Sequence, residues 1–362
     1  MFCTQPFNHV DIIVENDQVL LQPCNTWHIK KKFSIAEYKD NIEELRTTLK
    51  HTYHHAGCRD CIKNDKMKIR SRRVVQNEFS EDNNLSTDRI QSLGVRYGTL
   101  CNSKCMTCTH MRSSSWVVDS EKLGYEIEEQ HRFKKNLLPG VDVFFDNFDL
   151  DDLRYVEFHG GEPLMQSYPY EFLKKVKKLD QLVVKFNTNL TVMPSPELEE
   201  LLKKCKRVDF LLSVDDIGPR YEMLRFPGKW DTFVNNMETL KQRGYRTMAF
   251  NVLSSLNIFY AVEFYKWAVK NFGNEVHSQF VVDISHMDIS YLPQHAKDRV
   301  LERIANYKGK LFDSIRAKLN DKNEDLVDDL KKYIIDLDNI RNTDYPGTFS
   351  EWWDILTEKT PN

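Results

Sequence analysis

Three cysteines, Cys101, Cys105 and Cys108, fall within eight positions in "LCNSKCMTC", directly after the strand-like run "SLGVRYGTL". A closed structural zinc site takes four ligands and a thioredoxin-type redox site takes two thiols. Three thiols leave one metal position open. Four further cysteines, Cys3, Cys24, Cys58 and Cys61, come earlier in the chain, the last two as "CRDC". Seven of the eight cysteines lie in the first 108 residues, which implies two cysteine sites and one leftover. The leftover, Cys205, stands at helical spacing with Leu198, Leu201 and Leu202 and reads as a core residue. The start "MFCTQPFNHV" lacks the basic and apolar stretches of a signal peptide, so metal or cluster ligation is expected in place of disulfides. Zinc, with His110 as a distant fourth ligand of the three-cysteine site, is the competing reading.

Polar residues gather at the ends of the later strand-like runs. "FHGGEPLM" supplies Gly160, Gly161, Glu162 and Pro163, where two glycines allow close backbone approach and a carboxylate suits an ammonium partner. "KFNTNL" supplies Asn187, Thr188 and Asn189, "LLSVDD" supplies Ser213 and Asp215, Arg225 follows, and "FNVLSS" adds Asn251 and Ser254. For Asn251 and Ser254 a strand-end cap is an equal alternative. His54, His55 and His159 adjoin these motifs and are read as non-ligands.

The elements that must position these groups are legible from periodicity. From residue 92, strand-like runs ("SLGVRYGTL", "LRYVEFHG", "LVVKFNTN", "RVDFLLSV", "TMAFNVLSS", "SQFVVDIS") alternate with amphipathic helices such as "SPELEELLKKC" and "AVEFYKWAVKNFG". That alternation predicts an α/β fold with a parallel sheet, and six units predict a partial (β/α)6 TIM-like barrel. Residues 1–75 read as a small unit with a hairpin turn at Asn16 and Asp17 and a helix over "SIAEYKDNIEELRTTLKHTY". Residues 76–90 read as a polar linker, 91–293 as the barrel, and 294–362 as helices covering it, with a tail "EWWDIL" to which no chemistry is assigned.

The spacing C-x3-C-x2-C after a first strand resembles the cluster loop of the radical S-adenosylmethionine (radical SAM) superfamily, and "HGGEP" resembles its GGEP motif. The resemblance implies that Cys101, Cys105 and Cys108 hold a 4Fe-4S cluster whose fourth iron binds S-adenosylmethionine. It implies that Gly160, Gly161, Glu162 and Pro163 bind the methionine amino group. It places Asn187, Asn189, Ser213, Asp215, Arg225 and Asn251 among the cofactor contacts. Thr107 stands where the superfamily usually has an aromatic residue. The N-terminal cysteines in "FCTQPFNHVDIIVENDQVLLQPC" and "GCRDC" resemble a twitch (half-SPASM) module, here preceding the barrel. That implies an auxiliary iron-sulfur cluster, of 4Fe-4S type, on Cys3, Cys24, Cys58 and Cys61; a zinc ribbon is the alternative. The implied activity is reductive cleavage of S-adenosylmethionine to a 5'-deoxyadenosyl radical, with an external donor such as a flavodoxin or ferredoxin, and hydrogen abstraction from a substrate.

Composition narrows the rest. Hydrophobic residues make up 41% and charged residues 29%, and no run reaches eighteen apolar residues, so no membrane span is expected and a cytoplasmic protein is. A net charge of -3 argues against a uniformly basic nucleic-acid binder. One basic patch, residues 62–73, carries Lys63, Lys66, Lys68, Arg70, Arg72 and Arg73 and suits either solvent or an anionic substrate. A peptide or protein is the expected substrate, with a nucleotide- or sugar-type compound as the alternative. A non-catalytic zinc or iron-sulfur protein that senses redox state is the alternative from another class.

Overall fold

The computed structural model describes residues 3–24, 32–52, 55–66, 71–129, 132, 138–281, 284–321 and 323–358. Two compact units share the chain: Met1–Leu100 with Glu128–Thr188 and Met193–Phe210, and Cys101–Ile127 with Asn189–Val192 and Leu211–Asn362.

In the first unit the strands β1 (His9–Glu15), β2 (Gln18–Gln22), β3 (Phe33–Ser34), β4 (Ser92–Tyr97), β5 (Tyr155–His159) and β6 (Val183–Thr188) lie in the order β3-β2-β1-β4-β5-β6. The β1–β2 hairpin turns at Asn16, which adopts a positive φ of 52°, and pairs Glu15 with Gln18. β1, β4, β5 and β6 are parallel, in the register Asp11↔Gly94↔Glu157↔Lys185. The N-terminal segment therefore does not stand apart. Its first strand extends the same parallel sheet that β4 and β5 begin, which the alternation of β1 could not reveal, because a period of two identifies a strand and not its partner.

Helix Ile35–His51 starts on a capping box between Ser34 and Glu37 and buries Tyr38, Ile42, Leu45 and Leu49 along one stripe. The expected linker 76–90 is corrected in its first half, because helix Arg72–Asp82 runs through it, capped by Ser71 and burying Ser80. Ser80 accepts from Asn8 at 3.3 Å and meets the Thr4 hydroxyl at 2.9 Å, so polar composition here marks a satisfied contact with the N-terminus. On the apolar side of the sheet, Phe158 meets Phe172 and Phe186 with ring centroids 5.6 and 5.3 Å apart, and Tyr97 stacks on Tyr168.

Strand β7 (Arg207–Ser213) begins in the first unit and ends in the second, which continues with β8 (Arg246–Leu253) and β9 (Val276–Phe280), paired in parallel. The six expected barrel strands are thus all present as β4 to β9. Four C-terminal helices, Gln294–Ile304, Lys310–Leu319, Val327–Arg341 and Ser350–Thr357, bury Val300, Phe312, Ile334, Leu337 and Trp352 in one core with Met106, Trp116, Leu256 and Phe259. The tail tryptophan has a packing role: Trp352 stacks on Phe259 and its indole donates to the Ser255 carbonyl at 2.8 Å. Among the described residues no helix is long and apolar enough to cross a membrane.

Candidate active site

The second unit holds the cysteine loop. Its backbone is fixed at several points: Lys104 N–H donates to the Phe226 carbonyl at 2.6 Å, Met106 N–H to Leu224 at 2.8 Å, and Cys108 N–H back to Cys105 at 3.0 Å, closing a tight turn. Side chains add to this. Trp116 donates its indole N–H to the Cys105 carbonyl at 2.9 Å, and Ser115 its hydroxyl to the Cys101 carbonyl at 2.6 Å. Asn189 donates to Asn102 Oδ1 at 2.9 Å and to Ser103 Oγ at 3.0 Å, with its amide 3.8 Å from the Cys101 sulfur. A residue expected at the cofactor therefore also shapes the loop that carries the first thiol.

Burial dominates the thiols. It pushes Cys108 up to about 12, with the charges of Cys105 and Cys101 adding and a backbone hydrogen bond at Thr109 and Arg225 subtracting. Burial also raises Cys105, against the pull of Arg225. Such thiols stay protonated at neutral pH, and a strongly positive partner such as iron is what converts them to ligands. Among the described residues no three His, Cys, Asp or Glu side chains stand preset as a metal cage. The donor type, the mutual charge effect and the loop that carries them nevertheless fit a three-thiolate cluster site. His110, the candidate zinc ligand, pairs through Nδ1 with Ser120 Oγ at 3.2 Å.

Beside these thiols Arg225 is almost fully buried and bonds Asp215 Oδ2 at 2.7 Å. Burial opposes its charge, but Cys105, Asp215 and Tyr221 outweigh that and hold it ionised. Asp215 Oδ1 accepts the Val252 amide at 2.8 Å, and Asn251 and Asn257 both donate to the Asp215 carbonyl at 2.9 Å. Among the described residues, Arg225 Nε and Asn251 Oδ1 are left buried without a partner. These are the atoms that a bound polar group would satisfy. Ser213 closes β7, and Ser254 acts as a cap, accepting the Leu256 amide while its own amide donates to Asn257.

The first unit holds the glycine motif. Gly160 and Gly161 have φ of 81° and 56°, and a Cβ on Gly161 would lie 2.3 Å from the Leu100 carbonyl oxygen. Only glycine fits there. Glu162 N–H donates to that same carbonyl at 2.7 Å, and the fully buried carboxylate accepts from Thr188 Oγ1 at 2.7 Å and from Leu164 N–H at 3.2 Å. Pro163 opens the short turn that follows. Asn187 donates to Glu157 at 2.9 Å, and among the described residues its own Oδ1 has no hydrogen-bond partner.

Three of the four N-terminal cysteines influence one another. Cys3 is pushed up to about 11 by burial, eased by a backbone hydrogen bond at Gln5 and by Arg73, with Cys61 and Asp65 adding to the rise. Cys58 goes to about 12 by burial, with Cys3 and Cys61 adding and Arg73 subtracting. Cys24 follows β2 and acts electrostatically on Tyr38. The basic patch beside them is partly internal. Arg73 is buried and paired with Asp65 at 3.3 Å, so it is not a free anion contact; Lys68 and Arg70 lie outside the described residues, as does His54. His55 caps the turn at Ala56–Cys58, accepting from Gly57 N–H.

Residues 95–268, which carry the three-cysteine loop, the glycine motif and the Asp215–Arg225 pair, match the radical SAM superfamily. The chain carries a radical SAM domain. Solved structures of similar fold include native anSMEcpe with bound AdoMet and Cp18Cys peptide (16% identity, TM-score 0.39, 62% of each chain covered). Streptococcus suis SuiB is another, bound to precursor peptide SuiA (13%, 0.41, 77% of this chain and 53% of SuiB) or to S-adenosylmethionine (15%, 0.42, 82% and 69%). This chain thus spans between about half and about two thirds of the length of those proteins. No curated protein matches it. The structure adds residues that the motifs did not signal, none of them in a recognisable pattern: Trp116 and Asn257 within residues 95–268, and Tyr333 and Arg341 beyond them.

Proposed function

We propose that the chain is a radical SAM enzyme acting on a peptide or protein, with Cys101, Cys105 and Cys108 as ligands of a 4Fe-4S cluster. The observation that carries this is the joint one: a radical SAM match over residues 95–268, and within it three thiols on one hydrogen-bonded loop, with Cys105 and Cys101 both acting on Cys108. Bound there, the cluster and S-adenosylmethionine would supply one-electron reductive cleavage and hydrogen-atom abstraction through a 5'-deoxyadenosyl radical. The chain's own part is positional. Glu162, held by Thr188 and Leu164, offers a buried carboxylate to an ammonium group. Asn189 ties together the Asn102 and Ser103 side chains of the cysteine loop, and Arg225, locked by Asp215, keeps a positive charge beside Cys105.

For Cys3, Cys58 and Cys61, with Cys24 as the fourth thiol, we propose an auxiliary cluster with an electron-relay or structural role, since full ligation leaves no iron open to substrate. The nucleotide-type alternative loses support where Arg73 turns inward to Asp65.

The test is oxygen-free reconstitution with iron and sulfide, followed by reductant and S-adenosylmethionine. Expected are about eight irons per chain, for two 4Fe-4S clusters, and 5'-deoxyadenosine that disappears in Cys105→Ala. Tightly held zinc and no cleavage in a folded sample would return the non-catalytic metal-binding reading.

A further inference from the structure

The C-terminal helix Val327–Arg341 reaches the cysteine loop at two points within the second unit. Tyr333 donates its hydroxyl to the Met106 carbonyl at 2.7 Å. Arg341 donates through Nε to Asp119 Oδ2 at 2.8 Å, while Lys104, inside the loop, donates to Asp119 Oδ1 at 2.7 Å. The guanidinium of Arg341 also lies 4.7 Å from the centre of the Trp116 ring, whose indole N–H holds the Cys105 carbonyl. Arg341 and Asp119 are 3% and 2% exposed, so this is a buried pair whose geometry is fixed by packing. Two consecutive carbonyls of the turn between the second and third thiols are therefore gripped from outside, one directly by the helix and one through Trp116.

A trans peptide is planar, with its C=O and N–H pointing in opposite directions. Holding the Met106 carbonyl toward Tyr333 turns the Thr107 N–H away from the helix. That amide has no hydrogen-bond acceptor among the described residues. Met106 N–H, by contrast, is already committed to the Leu224 carbonyl at 2.8 Å.

We propose that Tyr333 and Arg341 are positioning residues for the three-thiol site, orienting the Cys105–Cys108 turn so that the Thr107 N–H serves a cluster sulfur. The C-terminal helices then tune the cluster, a role beyond covering the barrel. The proposal rests on the reading of Cys101, Cys105 and Cys108 as cluster ligands. Hydrogen bonds to sulfur are among the determinants of cluster potential, and losing one lowers the potential by destabilising the reduced, more negative state.

The experiment compares wild type, Tyr333→Phe, Trp116→Phe and Ile335→Ala, the last an exposed residue on the same helix. Each is reconstituted without oxygen and checked for folding by urea unfolding. The readouts are midpoint potential, the electron paramagnetic resonance spectrum of the reduced cluster, and the rate at which a chelator removes iron. Cys105→Ala identifies the signal that belongs to this site. Tyr333→Phe is expected to shift the potential downward, alter the spectrum and speed iron loss roughly 2- to 10-fold, the worth of one hydrogen bond. Trp116→Phe should move all three the same way, and Ile335→Ala should move none. Unchanged potential and release rate in folded Tyr333→Phe and Trp116→Phe overturn the proposal while leaving the cluster assignment intact. A wild-type iron count and spectrum equal to those of Cys105→Ala overturn the cluster assignment itself, and the proposal with it.

Discussion

Replacing Gly161 with alanine tests whether the glycine motif is held by sterics or merely prefers a flexible residue. The position has φ of 56°, where an L side chain costs about 1–2 kcal/mol. The new Cβ would stand 2.3 Å from the Leu100 carbonyl oxygen and 3.0 Å from the carbonyl carbons of Leu100 and Thr99. These are backbone atoms on both sides, so no flexible side-chain end can yield, and relief requires moving one segment by about 1 Å. Overpacking of that kind costs a further 1–3 kcal/mol or so, against a gain of about 0.4–1 kcal/mol from the stiffer unfolded chain. The net expectation is a loss of about 1–4.5 kcal/mol. Gly124→Ala is the matched control, because its φ is 83° but nothing lies within 4 Å of the added Cβ. Urea unfolding of the two variants, with the slope unchanged, isolates the clash as the difference between them. That difference should be about 1–3 kcal/mol by the overpacking term. The same shift would strain the Glu162 amide bond to Leu100, the residue before Cys101, so iron retention should fall in Gly161→Ala and not in Gly124→Ala. Equal unfolding midpoints for the two would show that the close approach to Leu100 does not constrain the motif.

Burial raises the Glu157 carboxyl, but Lys185, His159 and Arg72 and the Asn187 hydrogen bond outweigh it and hold the group well below its ordinary 4.5. Its stabilisation is therefore present above pH 4.5 and lost as pH falls toward the depressed value. Glu157→Gln should flatten the loss of stability below pH 4.5, and an unaltered pH profile would contradict the assignment. Arg225→Met leaves Asp215 buried without its cation and should cost about 3–5 kcal/mol in urea unfolding, whereas a loss under about 1 kcal/mol would mean the pair is not formed. Arg73→Met should likewise lower stability measurably, by removing the buried partner of Asp65, while Lys63→Met on the exposed side of the patch should not; equal effects would restore the reading of the patch as a single anion-binding surface.

Much of the second-unit site was legible because local spacing sets it. C-x3-C-x2-C needs only one turn, and the Cys108-to-Cys105 backbone bond is that turn. Strand ends carried Asp215 and Asn251, and alternation located β4 to β9. The partners of these residues were not legible. Tyr333 and Met106 are 227 positions apart, and Arg341 and Asp119 are 222 apart, each looking in sequence like an ordinary helix or loop residue. Charge counting also misled at Arg73, which turns inward to Asp65 although it stands in a run of basic residues. The role of β1 stayed hidden for the reason given by the pairing itself: His9 to Val14 have the pattern of any half-buried strand, and the partner is fixed by the register with β4.

That register has a consequence for how the first unit is used. Side chains alternate across a strand, so the paired row Asp11, Gly94, Glu157 and Lys185 shares one face with His9, Glu15, Ser92, Arg96, Tyr155, His159 and Asn187. Ile13 and Val183 are the apolar exceptions. The opposite face, with Val10, Ile12, Val95, Val156, Phe158, Val184 and Phe186, is apolar and buried. Burying charge is costly unless it is paired, and the pairings are there: Arg96 with Glu15 at 2.7 Å, Lys185 with Glu157 at 3.4 Å, His9 with Asp11 at 3.3 Å. Gly94 belongs to the same economy of space, since a Cβ there would overlap the Asp11 carboxylate. Yet Asp11 Oδ2 relies on the His9 ring 3.3 Å away, and among the described residues Asn187 Oδ1 is buried without a hydrogen-bond donor. Packing alone would favour apolar residues at both positions, as it does on the other face. A face that keeps buried, paired charge and an unsatisfied acceptor, where the opposite face is apolar, costs more than stability alone would favour.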